Sequence, residues 1–306
     1  MELFERKRSG FSLHIKDLQG EPCEIENVTP SFTVDEIIKK ISKSKDINEE
    51  QVKLIYRGLE LKLGETLENY GIHSESEISM LKRLKKPIVL FYNYFSDEII
   101  KVDVKLNGEL WRFDQIYPKP KRQDSVNVTW EMAIQGNKYI ECNNILKDMD
   151  TMRNYPYLFW DANIIDSSYA NLNKYLDYIC MSETVEDKLD RVLEDKGLNI
   201  RERFDLITFW LPELKAKKYV KFGFIDEGDY DKLATMDINP KPVIVLRVIL
   251  VFLPTNDIEE KQNKDIKKPL LNLDNINKKI NQTTYIIPKR NNSERTVIEW
   301  GGINLL

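Results

Sequence analysis

Phe11, Leu13 and Ile15 alternate with Ser12, His14 and Lys16, the period of two that a half-buried strand imposes. Leu18-Gln19-Gly20 supplies a turn, and Cys23 and Ile25 resume the alternation until it slips by one residue at Val28. The extra residue at Glu26–Asn27 implies a β-bulge, and Pro30 ends the strand. Thr33-Val-Asp-Glu36 reads as a capping box, Thr33 accepting from the Glu36 N–H while Glu36 reaches back. Val34, Ile37, Ile38 and Ile41 then fall at helical spacing and form one apolar stripe. A helix with such a stripe needs a sheet to cover it, and apolar runs at Val52–Tyr56 and Ile78–Leu81 supply further strands.

The order hairpin, helix, strand, irregular segment, strand is that of the β-grasp. LIYRGLELKLGETLENYGIHSESEISMLKRL resembles the second half of ubiquitin, and FSLHIKDLQGEPCEIENV resembles its first hairpin, so the likeness covers residues 11–85. Ubiquitin ends in a flexible Arg-Gly-Gly tail whose last carboxylate is activated for conjugation. Here the matching stretch is Arg83-Leu84-Lys85-Lys86-Pro87, and the chain runs on. The enzymes that handle that tail enclose it in a narrow channel, where Lys86 and the fixed φ of Pro87 would clash. Leu59 and Ser74 stand where ubiquitin has lysines used for chain building. The resemblance therefore implies a docking module that is not conjugated. Ubiquitin is recognised through an apolar patch on its sheet. Leu54 and Tyr56 are expected to point inward and Ile55 outward, so Leu18, Ile55 and Leu81 form the expected patch, with Arg57 and Arg83 at its rim beside Lys53. Ser79 replaces ubiquitin's patch histidine. The alternative is that these residues pack against the second domain.

With 306 residues, 42% hydrophobic and 31% charged, the chain can bury two cores. The expected division is 1–87 and 88–306. Beyond Pro87, alternation at Ile100–Leu106, an Asn107-Gly108 hairpin signal, Leu110–Ile116 and strict alternation at Val126–Ile134 indicate antiparallel strands. Tyr157–Trp160, Lys217–Phe224, Val243–Leu253 and Thr296–Trp300 add more. Helices are expected at Val185–Asp195, closed by Gly197, and from Asn199 to Leu211 before Pro212. The fold class is α+β: a β-grasp domain followed by a larger antiparallel-sheet domain with two inserted helices. Residues 255–282, rich in Asn, Lys and Asp, read as a mobile loop, in which Leu270, Leu273 and Ile280 could make an amphipathic turn. Tyr155-Pro-Tyr-Leu-Phe-Trp160, Gly197-Leu-Asn199 with Phe209-Trp-Leu-Pro212, Arg247-Val248 and Val297-Ile-Glu-Trp-Gly-Gly302 resemble segments of an uncharacterised family of bacteria and fungi. That likeness implies a domain that also exists without the ubiquitin-like one.

The net charge of −4, with Lys and Arg interleaved among Asp and Glu, gives no nucleic-acid footprint. The longest apolar run, Val243–Leu253, is too short to span a bilayer and contains Arg247. MELFERKRSG shows no signal peptide, and three scattered cysteines suit reduced thiols, so a cytoplasmic protein is expected, the nucleus remaining open. Both histidines, His14 and His73, precede Pro87. The larger domain therefore lacks the parts of a Cys-His or Ser-His-Asp hydrolase, a histidine zinc site or a phosphate-binding Gly-rich loop, and no cofactor or metal is expected. Carboxylate chemistry survives: Asp161 follows an aromatic cluster and Glu299 precedes Trp300. Against it, Arg247 sits in an otherwise apolar strand and needs a counter-ion, so Asp161, Arg247 and Glu299 read foremost as a structural polar cluster. Gly301-Gly302 reads as a turn. The expectation is an adaptor that docks a ubiquitin receptor, such as a proteasome subunit, while its second domain holds an unknown partner; the alternative is a carboxylate-dependent, glycan-type hydrolase tethered by the ubiquitin-like domain.

Overall fold

The computed structural model describes residues 10–16, 22–45, 49, 52–57, 59–80, 82–135, 143–165, 172–256, 271–275 and 293–305. The chain divides into a first compact unit up to Lys82 and a second from Arg83 onward.

In the first unit, β1 (Phe11–Lys16) and β2 (Pro22–Val28) form an antiparallel pair. The ladder places Phe11 against Val28 and Leu13 against Ile25, so Ser12 alone faces Glu26 and Asn27, the bulge legible in the alternation, and Asn27 takes a φ of 57°. Helix α1 (Val34–Lys45) starts on the expected capping box: the Thr33 N–H donates to Glu36 Oε2 at 2.8 Å and the Glu36 N–H to Thr33 Oγ1 at 3.3 Å. Strands β3 (Leu54–Tyr56), β4 (Leu59–Glu60) and β5 (Ile78–Met80) complete a five-stranded sheet in the order β2-β1-β5-β3-β4, with β1 and β5 parallel. The α1 stripe Val34, Ile37, Ile38 and Ile41 packs with Leu13, Ile15, Leu54, Tyr56, Ile78 and Met80 in one core. This is the β-grasp.

The second unit has two sheets. Strands β6 (Lys82–Tyr92), β7 (Ile99–Leu106), β8 (Trp111–Tyr117), β9 (Arg122–Gln123), β10 (Asn127–Gln135), β11 (Ile145–Lys147), β12 (Asn154–Tyr155), β13 (Leu158–Ile164) and β14 (Leu176–Met181) come first. Helices α2 (Val185–Asp195) and α3 (Ile200–Leu214) follow, then β15 (Tyr219–Phe224), helix α4 (Glu227–Leu233), β16 (Ala234–Asn239), β17 (Ile244–Thr255), β18 (Leu271–Asn272) and β19 (Thr296–Asn304). The larger sheet runs β18-β14-β15-β17-β19-β6-β13-β8; the smaller runs β12-β11-β10-β7-β16, with β9 on β10. Most pairings are antiparallel, but β17 lies parallel to β19, and β18 to β14. Helices α2 and α3 cover one face of the larger sheet: Leu189, Leu193, Leu206, Trp210 and Leu214 pack on Leu90, Phe222, Leu250, Phe252 and Trp300. With both faces buried, β17 and β19 carry near-continuous apolar runs.

Several expectations change. Asn107-Gly108 does not close a hairpin: β7 pairs with β10 and β16, β8 with β13, so the turn carries the chain from one sheet to the other. Helix α3 passes through Pro212 to Leu214. The helix donor that proline lacks would have served the Thr208 carbonyl; Thr208 is on the exposed side of the helix, where losing that bond costs least. A third helix, α4, was not legible in the sequence. Gly301 and Gly302 lie inside β19 rather than in a turn. A Cβ on Gly301 would come within 2.9 Å of the Pro87 nitrogen, and one on Gly302 within 2.8 Å of the Trp210 ring, so both glycines permit close packing. Within 255–282, Leu271–Asn272 pair with β14 and Leu273 is buried in the helix-side core, so that part is packed; Leu270 and Ile280 lie outside the described residues.

Candidate functional site

The residues following the first unit's last strand are the ones that would form a ubiquitin tail. Here they are the start of β6, paired with β19 through Leu84–Ile303 and Lys85–Gly302, and resuming at Ile88–Trp300 after an irregularity. Pro87, the expected domain boundary, therefore lies inside a strand. Lys86 takes a φ of 53°, a conformation that costs a side-chain-bearing residue about 1 kcal/mol or more. Three contacts hold it there. Its N–H donates to Asp161 Oδ1 at 2.7 Å, and its Nζ lies 4.2 Å from the centre of the Phe209 ring and 5.6 Å from that of Trp300. Burial depresses the Lys86 amine below its ordinary value, against the opposing pull of Asp205. Next to it, Lys85 Nζ pairs with Glu213 Oε1 of α3 at 3.1 Å, and Glu213 Oε2 accepts from Asn304 at 2.8 Å.

The expected receptor patch is only partly within the described residues. Leu54 and Tyr56 point into the core as anticipated. Ile55 does not face solvent; at 5% exposure it is buried, outside the inner core cluster, and this corrects the expectation. Its cross-strand neighbours on the same sheet face are Glu60 and Ser79, and an ion pair between Glu60 and Lys53 at 2.6 Å runs along that edge. Arg57 is exposed, adopts a φ of 51° and stacks over the Tyr56 ring at 5.0 Å. Leu18 and Leu81 lie outside the described residues, as does the side chain of Arg83. Leu59, at 65% exposure, is the apolar side chain that this edge presents to solvent. In the sequence it stood out only for replacing a lysine; its place in a two-residue edge strand is what exposes it.

The polar cluster forms around Arg247. The parallel register of β17 and β19 sets Arg247 directly beside Glu299, on the face away from α2 and α3. Arg247 Nε donates to Glu299 Oε2 at 2.6 Å, and its Nη1 donates to Asp231 Oδ1 and to the Ala234 carbonyl, each at 2.7 Å. Trp160 Nε1 donates to Glu299 Oε1 at 3.1 Å. The guanidinium stacks 4.2 Å above the Tyr230 ring of α4. Glu299 has 0% exposure and the Arg247 side chain is nearly as deep. Burial works against the Arg247 charge, but Glu299 and then Tyr230 outweigh it and hold its pKa above the ordinary value. Burial first, and then the Glu299 carboxylate, push the Tyr230 hydroxyl well up, so it stays protonated. Among the described residues, that hydroxyl and Arg247 Nη2 have no hydrogen-bond partner of ordinary geometry.

Asp161 belongs to a different arrangement. It occupies the irregularity between Trp160 and Ala162 in the β13–β8 ladder, and its carboxylate receives the Lys86 N–H. The expected grouping is thus corrected: Glu299 and Arg247 are joined, whereas Asp161, at 6% exposure, caps the irregular start of β6. Both acids of the hydrolase alternative are tied into hydrogen bonds that hold strands together. Among the described residues, no group of three or more His, Cys, Asp or Glu side chains could hold a metal ion, and no helix is long and apolar enough to cross a membrane.

Residues 13–85 match the model of the ubiquitin family, and the chain therefore contains a ubiquitin-family domain there, followed by the larger α+β unit.

Proposed function

We propose, from the ubiquitin-family domain at residues 13–85, that this chain is an adaptor. Its ubiquitin-like domain docks a ubiquitin receptor, such as a proteasome subunit, and its second unit, 88–306 by the sequence division, holds a separate partner. The observation that carries this reading is the placement of Leu84 and Lys85 in paired strand β6, followed by Lys86 fixed through Asp161. A ubiquitin-like domain whose tail is a structural strand has no free end to conjugate, which leaves recognition by contact as its use. The surface in this reading is the sheet edge that carries the exposed Arg57 and Leu59; Leu18, Leu81 and Arg83 keep their expected part in it from the sequence alone, and the buried Ile55 drops out. Commitment of Asp161 and Glu299 to backbone and guanidinium partners favours the adaptor over the hydrolase.

The permanence of the domain is tested with a broad-specificity deubiquitinase. The full chain should keep its intact mass through an incubation that fully processes a linear ubiquitin fusion. Release of an N-terminal fragment ending between residues 83 and 87 would refute the reading.

A further inference from the structure

Residues 271–275 are seated on the edge of the larger sheet by contacts of the kind that hold a peptide ligand. Leu271 and Asn272 pair in parallel with Tyr178 and Ile179 of β14, and these two residues are the whole of β18. Leu273 is 1% exposed and belongs to the helix-side core. Its carbonyl accepts from Lys188 Nζ at 2.8 Å. The Asp274 carboxylate accepts from the Met181 N–H at 2.7 Å and from the Thr184 hydroxyl at 3.1 Å. Thr184 is the N-cap of α2, so the carboxylate meets the positive end of that helix. The Asn272 side chain accepts from the Asp274 N–H at 2.9 Å and sets the turn between the strand pair and the anchor.

All of these hydrogen-bond and ladder partners come from residues 178–188, that is, β14, the turn after it and the first turn of α2. Strand β14 is paired along its other side with β15, and α2 is packed into the helix-side core through Val185, Leu189, Val192 and Leu193. The groove is therefore built without the segment that fills it. What it reads is a stretch of extended backbone, then one apolar side chain, then one carboxylate. That is the division of roles in strand addition, where main-chain pairing holds the peptide and a pocket selects it. Leu271, at 42% exposure, takes little part in the selection.

We propose that the outer edge of β14 and the first turn of α2 form a docking groove for an extended peptide ending in Leu-Asp, and that residues 271–275 occupy it in cis. A partner protein carrying the same pattern displaces them. A tethered segment competes at an effective concentration on the order of millimolar, so the partner's segment must gain by pairing along more of β14 than the two residues that β18 uses. The inference rests on the reading of the second unit as a partner-binding module and names the chemistry of that partner; it is independent of what the ubiquitin-like domain binds.

Cys180 reports on the groove. It is 1% exposed in the same core cluster as Leu273, and burial first, then the Asp274 carboxylate, push its thiol up to about 12. The test is alkylation of Cys180 by iodoacetamide in the folded full chain, followed by peptide mass spectrometry. Leu273→Ser keeps the Asp274 charge and should raise the alkylation rate about tenfold or more at unchanged tryptophan fluorescence, since it removes the one buried apolar anchor. A free peptide of residues 269–277 at about 5 mM should slow alkylation in the variant and also in wild type, by filling the groove whenever the cis segment leaves it. The same peptide carrying Leu273→Ser should not. Equal rates in wild type and a folded Leu273→Ser chain would overturn the inference. So would a wild-type rate that the peptide leaves unchanged, or one that both peptides slow alike, and this arm holds even where the variant misfolds. In each of those outcomes receptor binding by the ubiquitin-like domain stands or falls separately.

Discussion

Glu299 is the residue on which a structural and a catalytic account of the larger unit differ most, and Glu299→Ala separates them. The carboxylate is fully buried and receives two hydrogen bonds, one from the Arg247 guanidinium at 2.6 Å and one from the Trp160 indole at 3.1 Å. Breaking a buried ion pair by removing one partner costs about 3–5 kcal/mol, because the remaining charge is left in a poorly solvating interior. Arg247 keeps Asp231 and the Ala234 carbonyl, which moves the charge cost to the lower end. The orphaned Trp160 N–H adds about 1–3 kcal/mol. The sum lies at about 4–6 kcal/mol, a large part of the ~5–15 kcal/mol that folded domains have in hand. Replacing both partners, Arg247→Met with Glu299→Leu, should recover most of that loss, since apolar groups of similar volume often substitute for a buried pair at little cost. Urea denaturation followed by tryptophan fluorescence is the assay. All five tryptophans lie in the second unit, so the signal reports on that unit alone. A loss below about 1 kcal/mol in Glu299→Ala, at unchanged denaturant slope, would refute the structural role and reopen Glu299 as a functional acid.

Gly302→Ala should cost about 1–3 kcal/mol by the same assay, since its methyl meets the Trp210 ring inside a filled core; a neutral result would mean that α3 can move away from β19. Asp229 is held well below the ordinary carboxylate range by hydrogen bonds from Lys232, Lys174 and Tyr175. Its contribution to stability is complete above about pH 4, where the unfolded carboxylate is ionised, and is lost as the pH falls toward the depressed folded value. The stability gap between wild type and Asp229→Asn should therefore be widest at neutral pH and shrink between about pH 4 and pH 2; a gap independent of pH over that range would show that the bonds do not depend on the charge.

The elements that sequence revealed were those fixed by local rules. The bulge at Glu26–Asn27 came from a slipped alternation, the first capping box from Thr33 and Glu36 three residues apart, and the start of α3 from Asn199 as an N-cap; the structure adds that Asn199 accepts from the Glu202 N–H at 2.9 Å in a second capping box. Gly197 was legible because a φ of 87° after α2 suits glycine. What failed depended on distant partners. Ile55 was placed outside by alternation within a three-residue strand, which says nothing of what lies over the outer face. Asn107-Gly108 is a good turn wherever the chain must reverse, and only the partners of β7 and β8 show that it joins two sheets. Arg247 announced a counter-ion, and Glu299 was nominated; the parallel register that aligns them could not be read locally. Asp161 was assigned to the same cluster because its adjacency to aromatics carried no information about Lys86.

The adaptor account is tested most directly by isothermal titration of the full chain with a purified proteasomal ubiquitin-receptor domain, comparing wild type with Arg57→Glu. Ile55→Arg is a poorer choice alone, because an arginine at that buried position can unfold the sheet. Arg57 is exposed and stacks on the Tyr56 ring from outside, so its substitution removes no buried side chain. The account predicts saturable binding by wild type and a loss of about tenfold or more in Arg57→Glu at unchanged melting temperature. Absence of binding by the wild-type chain, or equal binding by the variant, would contradict the claim that this sheet edge is a receptor surface.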